Sequence, residues 1–488
     1  MAVSFNEIPG AIRVPGVYSE IDNSQAVSGP QLIAYKRLLL GQKLAAGTAT
    51  ANQLVLVTSV ALAKTLFGAG SQLAGMVEAA IAQDSFVELW CMPVADNGAG
   101  VQATGTIVVA GPATATGTLN LLIAGRAVSV AVVSGDASTV VAAAINAAVN
   151  AATDLPCTSG VSLSTVTLTA RHKGICGNEI DIRENYYDGE ATPAGVTLTI
   201  TAMASGVTNP VLTTALANLG DEWFHIWASG WSDATSLTAI ETELADRFGY
   251  LREIEGHCFA AKNDTLSNLG TLGNGRNSPH VTIVESAFNP MPAYEKAAES
   301  ASIAAYYAQI DPARPIQNLP YKWCLAPKQA DRFALQERNI LLYDGIATTK
   351  VEAGGIMYAE RFITTYKSNA AGGDDASYLD VETLLTLMFI RHDWRDYVKR
   401  KYPRHKLAAD GTRFGPGQAI VTPNLMKAEY IGKAREWEEI GLIENIDTMK
   451  NNLISERNIS DPNRLDMLLP PDLVNQLRIV GNKIAFRL

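Results

Sequence analysis

The sequence predicts an α/β fold with a largely parallel sheet, an inserted β-rich domain, an α+β C-terminal domain and extended arms at both ends. Short apolar strands alternate with helices before residue 96 and again after residue 206. Between those points the alternation stops, and runs rich in Ala, Thr, Val and Gly replace it. Strands that alternate with helices are typical of a parallel sheet covered on both faces, whereas successive strands favour an antiparallel one.

The length of the chain and the breaks in pattern set the predicted domains. A chain of 488 residues is too long for one core, because domains usually hold roughly 100–200 residues. We predict an N-terminal arm at 1–30, an α/β core at 31–95 plus 207–345, an insertion at 96–206, a C-terminal domain at 346–476 and a C-terminal arm at 477–488.

Within these regions, short apolar runs predict strands, and longer runs without Pro predict helices. In the core, strands are predicted at 54–57, 86–94, 223–228, 256–261 and 280–285, and helices at 60–82, 237–250 and 293–309. In the insertion, strands are predicted at 104–110, 117–123, 127–133, 161–170 and 196–202, and a helix at 138–150.

The region after residue 311 begins with a Pro-rich crossing and then mixes helices with one hairpin. A helix that opens at Thr422 and Pro423 and closes at Gly441 has a Thr N-cap, Pro at its first position and Gly after its end. Further helices are predicted at 328–339 and 378–402, hairpin strands at 345–351 and 356–366, and a final strand at 477–488 with a turn at Gly481–Asn482.

Charge and cysteine content narrow the class of protein. A net charge of −10 argues against a nucleic-acid coat, since binding to phosphates needs many positive contacts. The five cysteines are scattered without a C-x-x-C pair, which indicates reduced, buried thiols. We expect no signal peptide, and the most apolar window, 54–63, is too short for the ~20 residues of a membrane span.

A search for catalytic motifs finds little. None of the six histidines forms an H-x-x-x-H or H-E-x-x-H pattern, so no metal or other cofactor is expected. The glycine clusters at 67–71 and 270–275 match neither phosphate-binding motif. Ser229 and Ser232 follow a predicted strand, where a doubly wound fold would bind a ligand, but the nucleophile motif G-x-S-x-G is absent. A hydrolase that uses one of these serines stays an alternative.

Three segments in order resemble the contractile tail sheath proteins of myophages, in particular the Mu-like branch. They are IPGAIRVPGVYSEID at 8–22, LFGAGSQLAGMVEAAIAQDSFVELWCMPV at 66–94 and KYPRHKLAADGTRFGPGQAIVTPN at 401–424. The resemblance implies a subtilisin-like α/β core without protease activity, and a sheath of stacked six-fold rings around an inner tube. It implies as partners further copies of this chain, the tail tube protein, and the baseplate and tail terminator proteins, with no nucleic acid and no membrane insertion. A virion tail assembled in the host cytoplasm is the expected location, and another self-assembling phage tail or shell protein is the nearest alternative.

The arms fit this resemblance. Each is marked by Pro or Gly and has too little apolar area to fold alone, so each needs the edge of a sheet elsewhere. We expect the arms to add strands to neighbouring subunits, a head-to-tail contact that generates a helix. The residues predicted to take part in this strand exchange are Val14, Gly16, Val17, Tyr18, Ile479, Ile484 and Phe486.

A basic segment stands out in this acidic chain. The stretch RHDWRDYVKRKYPRHK, 391–406, holds seven Lys or Arg residues and two Asp residues. On the predicted helix 378–402, Arg391, Arg395 and Lys399 recur at four-residue spacing beside an apolar face, which is expected to face the core and consists of Leu387, Ile390, Trp394 and Tyr397. Asp393 and Asp396 are expected elsewhere on the helix, where they do not neutralise the row completely. A solvated charged face is one interpretation. Nucleic-acid binding is a second, which the net negative charge and the lack of exposed aromatic residues disfavour. Contact with an acidic tail tube or an adjacent subunit is the third, because the resemblance places the C-terminal domain against the tube.

Overall fold

A computed structural model describes residues 15–17, 19, 33–415 and 417–487 of the chain. The chain divides into two compact units. The larger contains residues 33–389 together with the C-terminal segment from residue 475, and the smaller contains residues 390–474.

The helices and strands follow in chain order. The helices are α1 Val60–Phe67, α2 Gln72–Gln83, α3 Ser138–Ala151, α4 Thr213–Ala217, α5 Ala234–Phe248, α6 Leu266–Asn274, α7 Ala293–Ile310, α8 Leu335–Tyr343, α9 Val381–Lys401, α10 Pro423–Glu439 and α11 Ile446–Asn452. The strands are β1 Lys36–Gln42, β2 Val55–Leu56, β3 Glu88–Val94, β4 Gln102–Ala110, β5 Gly117–Ile123, β6 Arg126–Val132, β7 Cys157–Ser162, β8 Thr165–Lys173, β9 Ile182–Glu184, β10 Thr197–Ala204, β11 Ile226–Ser229, β12 His257–Lys262, β13 Val281–Glu285, β14 Leu319–Pro320, β15 Ile346–Val351, β16 Met357–Arg361, β17 Lys406–Leu407, β18 Ile420–Val421, β19 Ile443–Glu444, β20 Ile454–Arg457, β21 Leu465–Leu468 and β22 Asp472–Leu473.

A nine-stranded sheet forms the centre of the larger unit, in the order β14-β16-β15-β13-β12-β11-β1-β3-β2. The six strands from β15 to β3 run parallel, and antiparallel strands close both edges. Strands β11 and β13 are buried along their whole length, as expected where helices cover both faces of a sheet. Helices α2 and α7 pack together on one face, while α5 and α6 contribute to the core on the other. The predicted α/β class with a largely parallel sheet is confirmed.

Strand β1, which was not predicted, pairs with both β3 and β11 near the middle of the sheet. Its sequence, KRLLLGQ, begins with two cations, a composition that favours a surface segment. Arg37 is nevertheless buried, because its guanidinium donates to the carbonyl oxygens of Asp84 at 3.0 Å and Val87 at 2.8 Å and lies 3.3 Å from the Asp84 carboxylate. An ion pair together with hydrogen bonds allows a charged side chain to be buried in this way.

Several predicted elements are divided in the structure. The helix predicted at 60–82 breaks into α1 and α2, because Gly68 and Gly70 adopt φ values of +90° and +73°. A Cβ atom on Gly70 would lie 2.3 Å from the carbonyl oxygen of Leu155, so this close approach requires glycine. The strand predicted at 161–170 is a hairpin, β7 and β8, with Leu163 at φ +53° in its turn.

One helix near the predicted C-terminal domain has other bounds than predicted. In place of a helix at 328–339, the structure has a short 3-10 turn, Gln329–Asp331, followed by α8. Strand β15, which begins at the predicted domain boundary, pairs with β13 and extends the main sheet. The two compact units divide between residues 389 and 390, inside α9.

The insertion between β3 and β11 is an antiparallel β structure with one helix. Its strands form a four-stranded sheet, β10-β4-β8-β7, and a three-stranded sheet, β6-β5-β9. Buried residues of both sheets and of α3, including Ile107, Leu121 and Ile145, form one hydrophobic core. The alternation of buried and exposed residues along β4 and β8 is the pattern of strands with one face toward a core and one toward solvent.

The smaller unit contains α10, α11 and three two-stranded sheets, β17-β18, β19-β22 and β20-β21. Helix α10 begins as predicted, with the Thr422 hydroxyl accepting the N–H of Leu425 and Pro423 at its first position. In the larger unit, residues 475–487 have no regular secondary structure, so the strand predicted at 477–488 is absent from the described residues.

Candidate assembly surfaces

The two serine candidates, Ser229 and Ser232, have different surroundings. Ser229 ends β11 and is buried, and its hydroxyl donates to the carbonyl oxygen of Trp231 at 2.8 Å and accepts the Trp231 N–H at 3.1 Å. Both bonds hold the turn after the strand. Ser232 lines a cavity of about 390 Å³ beyond the strand ends, and the described lining of that cavity contains no histidine. A serine needs an adjacent base to act as a nucleophile.

The polar groups of this cavity bind one another. The ammonium of Lys262 lies 2.7 Å from the carboxylate of Glu179, and the Asn209 side chain donates to Asp233 at 2.6 Å. Asp233 also accepts the Ser236 N–H as the N-cap of α5. These contacts join the insertion to the ends of the parallel strands, so the polar lining has a structural use.

Cysteine and metal chemistry have no site in the described residues. Burial raises the pKa of Cys157 and of Cys176 to about 12, so both thiols stay protonated at neutral pH. The part of the chain that the structure describes contains no group of His, Cys, Asp and Glu placed to hold a metal ion. No helix in the same residues is long and apolar enough to cross a membrane.

The C-terminal arm presents bare apolar side chains. Ile479 is 85% exposed, Ile484 89% and Phe486 79%. No hydrogen bond or ion pair of residues 479–487 is found within the described part of the chain. Burying a large apolar side chain is worth roughly 1.5–3 kcal/mol, so an arm of this composition is expected to bind another surface.

The N-terminal arm is described at a few positions only. Gly16 and Val17 are exposed, and Val17 is 98% exposed. Val14 and Tyr18, which were predicted to take part in strand exchange, lie outside the described residues.

Helix α9 departs from its predicted faces. Asp393, which was expected away from the core, is buried, and its carboxylate lies 2.8 Å from Lys433 Nζ and 2.7 Å from Trp437 Nε1. Both partners lie on α10, so the buried ion pair joins the C-terminal part of α9 to α10 within the smaller unit. No local pattern indicates this pair, because Lys433 lies forty residues after Asp393. Trp394 and Tyr397, which were expected to face the core, are half-buried.

The predicted basic row is not uniformly exposed. Arg391 and Arg395 are half-buried and each already has an interaction partner, whereas Lys399 is exposed. Farther along, Arg400 pairs with Asp396 at 2.7 Å and Lys401 pairs with Glu429 at 2.7 Å. The exposed positive charge that has no acidic partner named above therefore lies at the C-terminal end of the segment, on Lys399, Arg404 and Lys406.

The sequence of the chain matches known proteins along its length. The family models for the β-sandwich, central and C-terminal domains of phage tail sheath proteins match residues 98–199, 205–365 and 373–487. The Mu-like prophage FluMu tail sheath protein of Haemophilus influenzae is 44% identical over 486 residues and covers 100% of both chains.

The chain is also similar to solved sheath structures, with which it shares little sequence identity. The sheath tail protein of Listeria innocua has a TM-score of 0.50 and 12% identity, with 92% of this chain and 93% of that chain covered. The sheath complex of an extracellular contractile injection system, in its contracted state, has a TM-score of 0.49 and 9% identity, with 98% of each chain covered.

An exposed apolar C-terminal arm, and a Ser229 hydroxyl that is used in the turn after β11, are features of a structural protein. The family matches and the full-length relative make the assignment specific. The chain belongs to the phage tail sheath family. It is a structural subunit of a contractile tail sheath and a component of the virion tail, and it is not an enzyme.

Proposed function

We propose that copies of this chain assemble as stacked six-fold rings around a tail tube and contract to drive the tube through the host envelope. The exposed apolar C-terminal arm is the observation that carries the proposal, because it needs a partner surface that its own larger unit does not supply. Assembly of the rings in the host cytoplasm, and binding to the tail tube, baseplate and tail terminator proteins, belong to the same proposal.

The arms exchange strands between subunits in this proposal. Residues Ile479, Ile484 and Phe486 of one copy, and Gly16 and Val17 of another, would pair with a sheet of a third. A hairpin in the smaller unit is a suitable acceptor, since within the described residues β20 and β21 pair only with each other. A two-stranded sheet is marginally stable alone and gains from added strands. Main-chain hydrogen bonds would then supply affinity, and alternate side chains would supply specificity.

Contraction needs no cofactor in this scheme. A lattice assembled in a high-energy arrangement stores its free energy in contacts between subunits and is held by a kinetic barrier. Rotation of the subunits about the arms would release that energy while the exchanged strands keep the rings connected.

The domain roles are proposals of the same kind. The insertion at 96–206 would face outward, and the C-terminal domain would face the tube. The subtilisin-like type of core stays a prediction: the six parallel strands follow the order 2-1-3-4-5-6, whose first five positions match the flavodoxin-like order.

Electron microscopy of the purified full-length protein tests the proposed function. We expect hollow tubes wide enough to surround a tail tube, with helically stacked rings in the wall. Closed shells or thin solid tubes would favour the alternative of another phage tail or shell protein. Labelling by a serine-reactive probe that is lost on Ser229→Ala or Ser232→Ala would favour the hydrolase.

The basic segment gives a separate prediction. If Arg391, Arg395 and Lys399 face an acidic tube or a neighbouring subunit, reversing the charge of all three reduces the amount of sheath formed on tubes. Contacts between exposed charges are screened over about 10 Å at 0.1 M salt, so the defect should be largest at low ionic strength. Cosedimentation with tubes over a salt series measures it.

Because two of these arginines are half-buried, a second variant limits the change to exposed residues, Lys399→Glu with Arg404→Glu. Arg464→Glu is the matched control, since Arg464 is an exposed arginine of the same unit that lies outside the basic segment and pairs with Asp466. Sheaths of normal length and salt sensitivity from both basic-segment variants would show that the row faces water.

A further inference from the structure

The root of the C-terminal arm is held to the rest of the larger unit chiefly by the side chain of Arg478, with a longer bond from Gln317 Nε2 to the Leu477 carbonyl oxygen at 3.4 Å beside it. Arg478 Nη2 lies 3.1 Å from Asp380 Oδ1 and 2.9 Å from Glu382 Oε1, and Nη1 donates to Gln317 Oε1 at 3.1 Å. The Arg478 side chain is 11% exposed and that of Glu382 is 0% exposed. On either side of this arginine the arm is bare, with Leu477 70% exposed and Ile479 85% exposed.

The two acids that hold Arg478 are themselves fixed by other segments. Asp380 accepts two parallel hydrogen bonds from Arg361 on β16, both at 2.9 Å. Glu382, in the first turn of α9, also accepts the backbone N–H of Ile316 at 2.6 Å. The cluster therefore connects the arm to an edge of the main sheet, to a long helix and to the Pro-rich crossing. Bidentate and charge-assisted bonds of this kind are the strong members of the hydrogen-bond class.

We propose that Arg478 is the anchor that sets the root of the C-terminal arm and carries the tension that an exchanged arm exerts on its own subunit. The inference rests on the proposed strand exchange. An arm paired with a neighbour pulls on residues 475–477, which have no regular secondary structure to resist it. Among the described contacts of the arm root, the ion cluster around Glu382 is the charged one and the one that connects the arm to β16 through Asp380 and Arg361.

The anchor also has unused bonding capacity. Arg478 Nε and Glu382 Oε2 are buried and have no hydrogen-bond partner among the described residues. A guanidinium and a carboxylate can pair through two parallel bonds, and this pair uses one. A small rotation of the arm root that brings Nε to Oε2 would form the second bond. The root can therefore adopt a second direction, as contraction requires, without releasing the arm.

The variant Arg478→Gln tests the anchor, with Arg487→Gln as the matched control because Arg487 is an exposed arginine of the same arm. In the monomer, we expect cleavage by a nonspecific protease within residues 475–480 to speed up by at least about tenfold in Arg478→Gln and to stay unchanged in the control. We also expect the critical concentration for polymerisation to rise by at least about tenfold. Removing one partner of a buried charge pair usually weakens an interaction by more than tenfold.

A second variant guards against simple unfolding. Arg478→Gln combined with Glu382→Gln removes the uncompensated buried charge and keeps the shapes of both side chains, and it should show the same polymerisation defect in a folded protein. Normal polymers from either folded variant overturn the anchor. The parallel deletion of residues 479–488 separates the two proposals: normal polymers from the deletion overturn strand exchange itself, whatever Arg478 does.

Discussion

Deletion of residues 479–488 should abolish polymerisation and leave a folded monomer. The described residues of this segment, 479–487, make no hydrogen bond or ion pair with the rest of the described chain, so their loss removes no core contact. What is lost is exposed apolar side chains, Ile479, Ile484 and Phe486, each bare enough to gain free energy only when another surface covers it. Negative-stain microscopy and sedimentation velocity measure the polymer, and thermal unfolding measures the fold.

A full-length variant separates the two contributions of the arm. Replacing Ile479, Ile484 and Phe486 by Lys keeps the main chain of the arm and removes its apolar side chains, so polymers should form only at high protein concentration. Polymers of ordinary length and yield from the deletion would show that the C-terminal arm is dispensable. Deletion of residues 1–22 is expected to have the same effect as deletion of the C-terminal arm, because the sequence of that segment has too little apolar area to fold alone and is predicted to pair with a neighbouring subunit.

Acid should destabilise the larger unit through two buried histidines, His257 and His280. Burial lowers the pKa of His257 to about 3, with the neighbouring charge of His280 adding to the effect, and burial lowers the pKa of His280 to about 4. His257 Nε2 lies 2.8 Å from the Thr282 hydroxyl, which donates its own proton to the carbonyl oxygen of Ile363. Nε2 must therefore be the donor, and the neutral ring fits the site.

The sign follows from proton binding. Below pH 6.5, the ordinary pKa of histidine, both imidazoles bind a proton in the unfolded chain but stay neutral in the folded chain. The free energy of unfolding therefore falls as the pH is lowered from about 6.5 toward 4. From pH 7 to pH 5 each histidine should cost about 2 kcal/mol of unfolding free energy, at 1.36 kcal/mol for each pH unit.

Comparison with a variant isolates this effect. Buried carboxylates act in the opposite direction, since burial raises the pKa of Glu299 and of Glu382. The measurement is therefore the difference in chemical denaturation between parent and His257→Gln at pH 7 and pH 5, because Gln can still donate to Thr282. We expect the variant to lose about 2 kcal/mol less than its parent. His405→Gln, at an exposed histidine, is the control, and an equal pH response in all three proteins would contradict the prediction.

The sequence was informative where local pattern determines structure. Short apolar runs predicted β11, β12 and β13 to within a few residues, because a strand buried on both faces carries few polar residues. It failed at β1, where the cations Lys36 and Arg37 concealed a central strand. The partners of Arg37, Asp84 and Val87, lie about fifty residues along the chain, beyond the reach of any local pattern.

The assembly surfaces divide in the same way. The arms could be predicted, because Pro, Gly and a shortage of apolar area are local properties. The anchor at Arg478 could not, since its acids lie nearly a hundred residues earlier. Spacing alone placed Arg391, Arg395 and Lys399 in one row, but burial against other segments decides which of these charges reaches solvent.

The insertion between β3 and β11 has a consequence for design. It has a hydrophobic core of its own, built from both of its sheets and α3. The chain leaves the central sheet at the end of β3 and returns to it at β11, two strands that flank β1 on opposite sides. Within the insertion, the turn at Gly135 has room, since no described atom lies within 4 Å of a Cβ placed on that residue. A foreign peptide could be carried there as cargo without altering the strands of the central sheet or the arms, so a tail built from this subunit would display one copy at every lattice point.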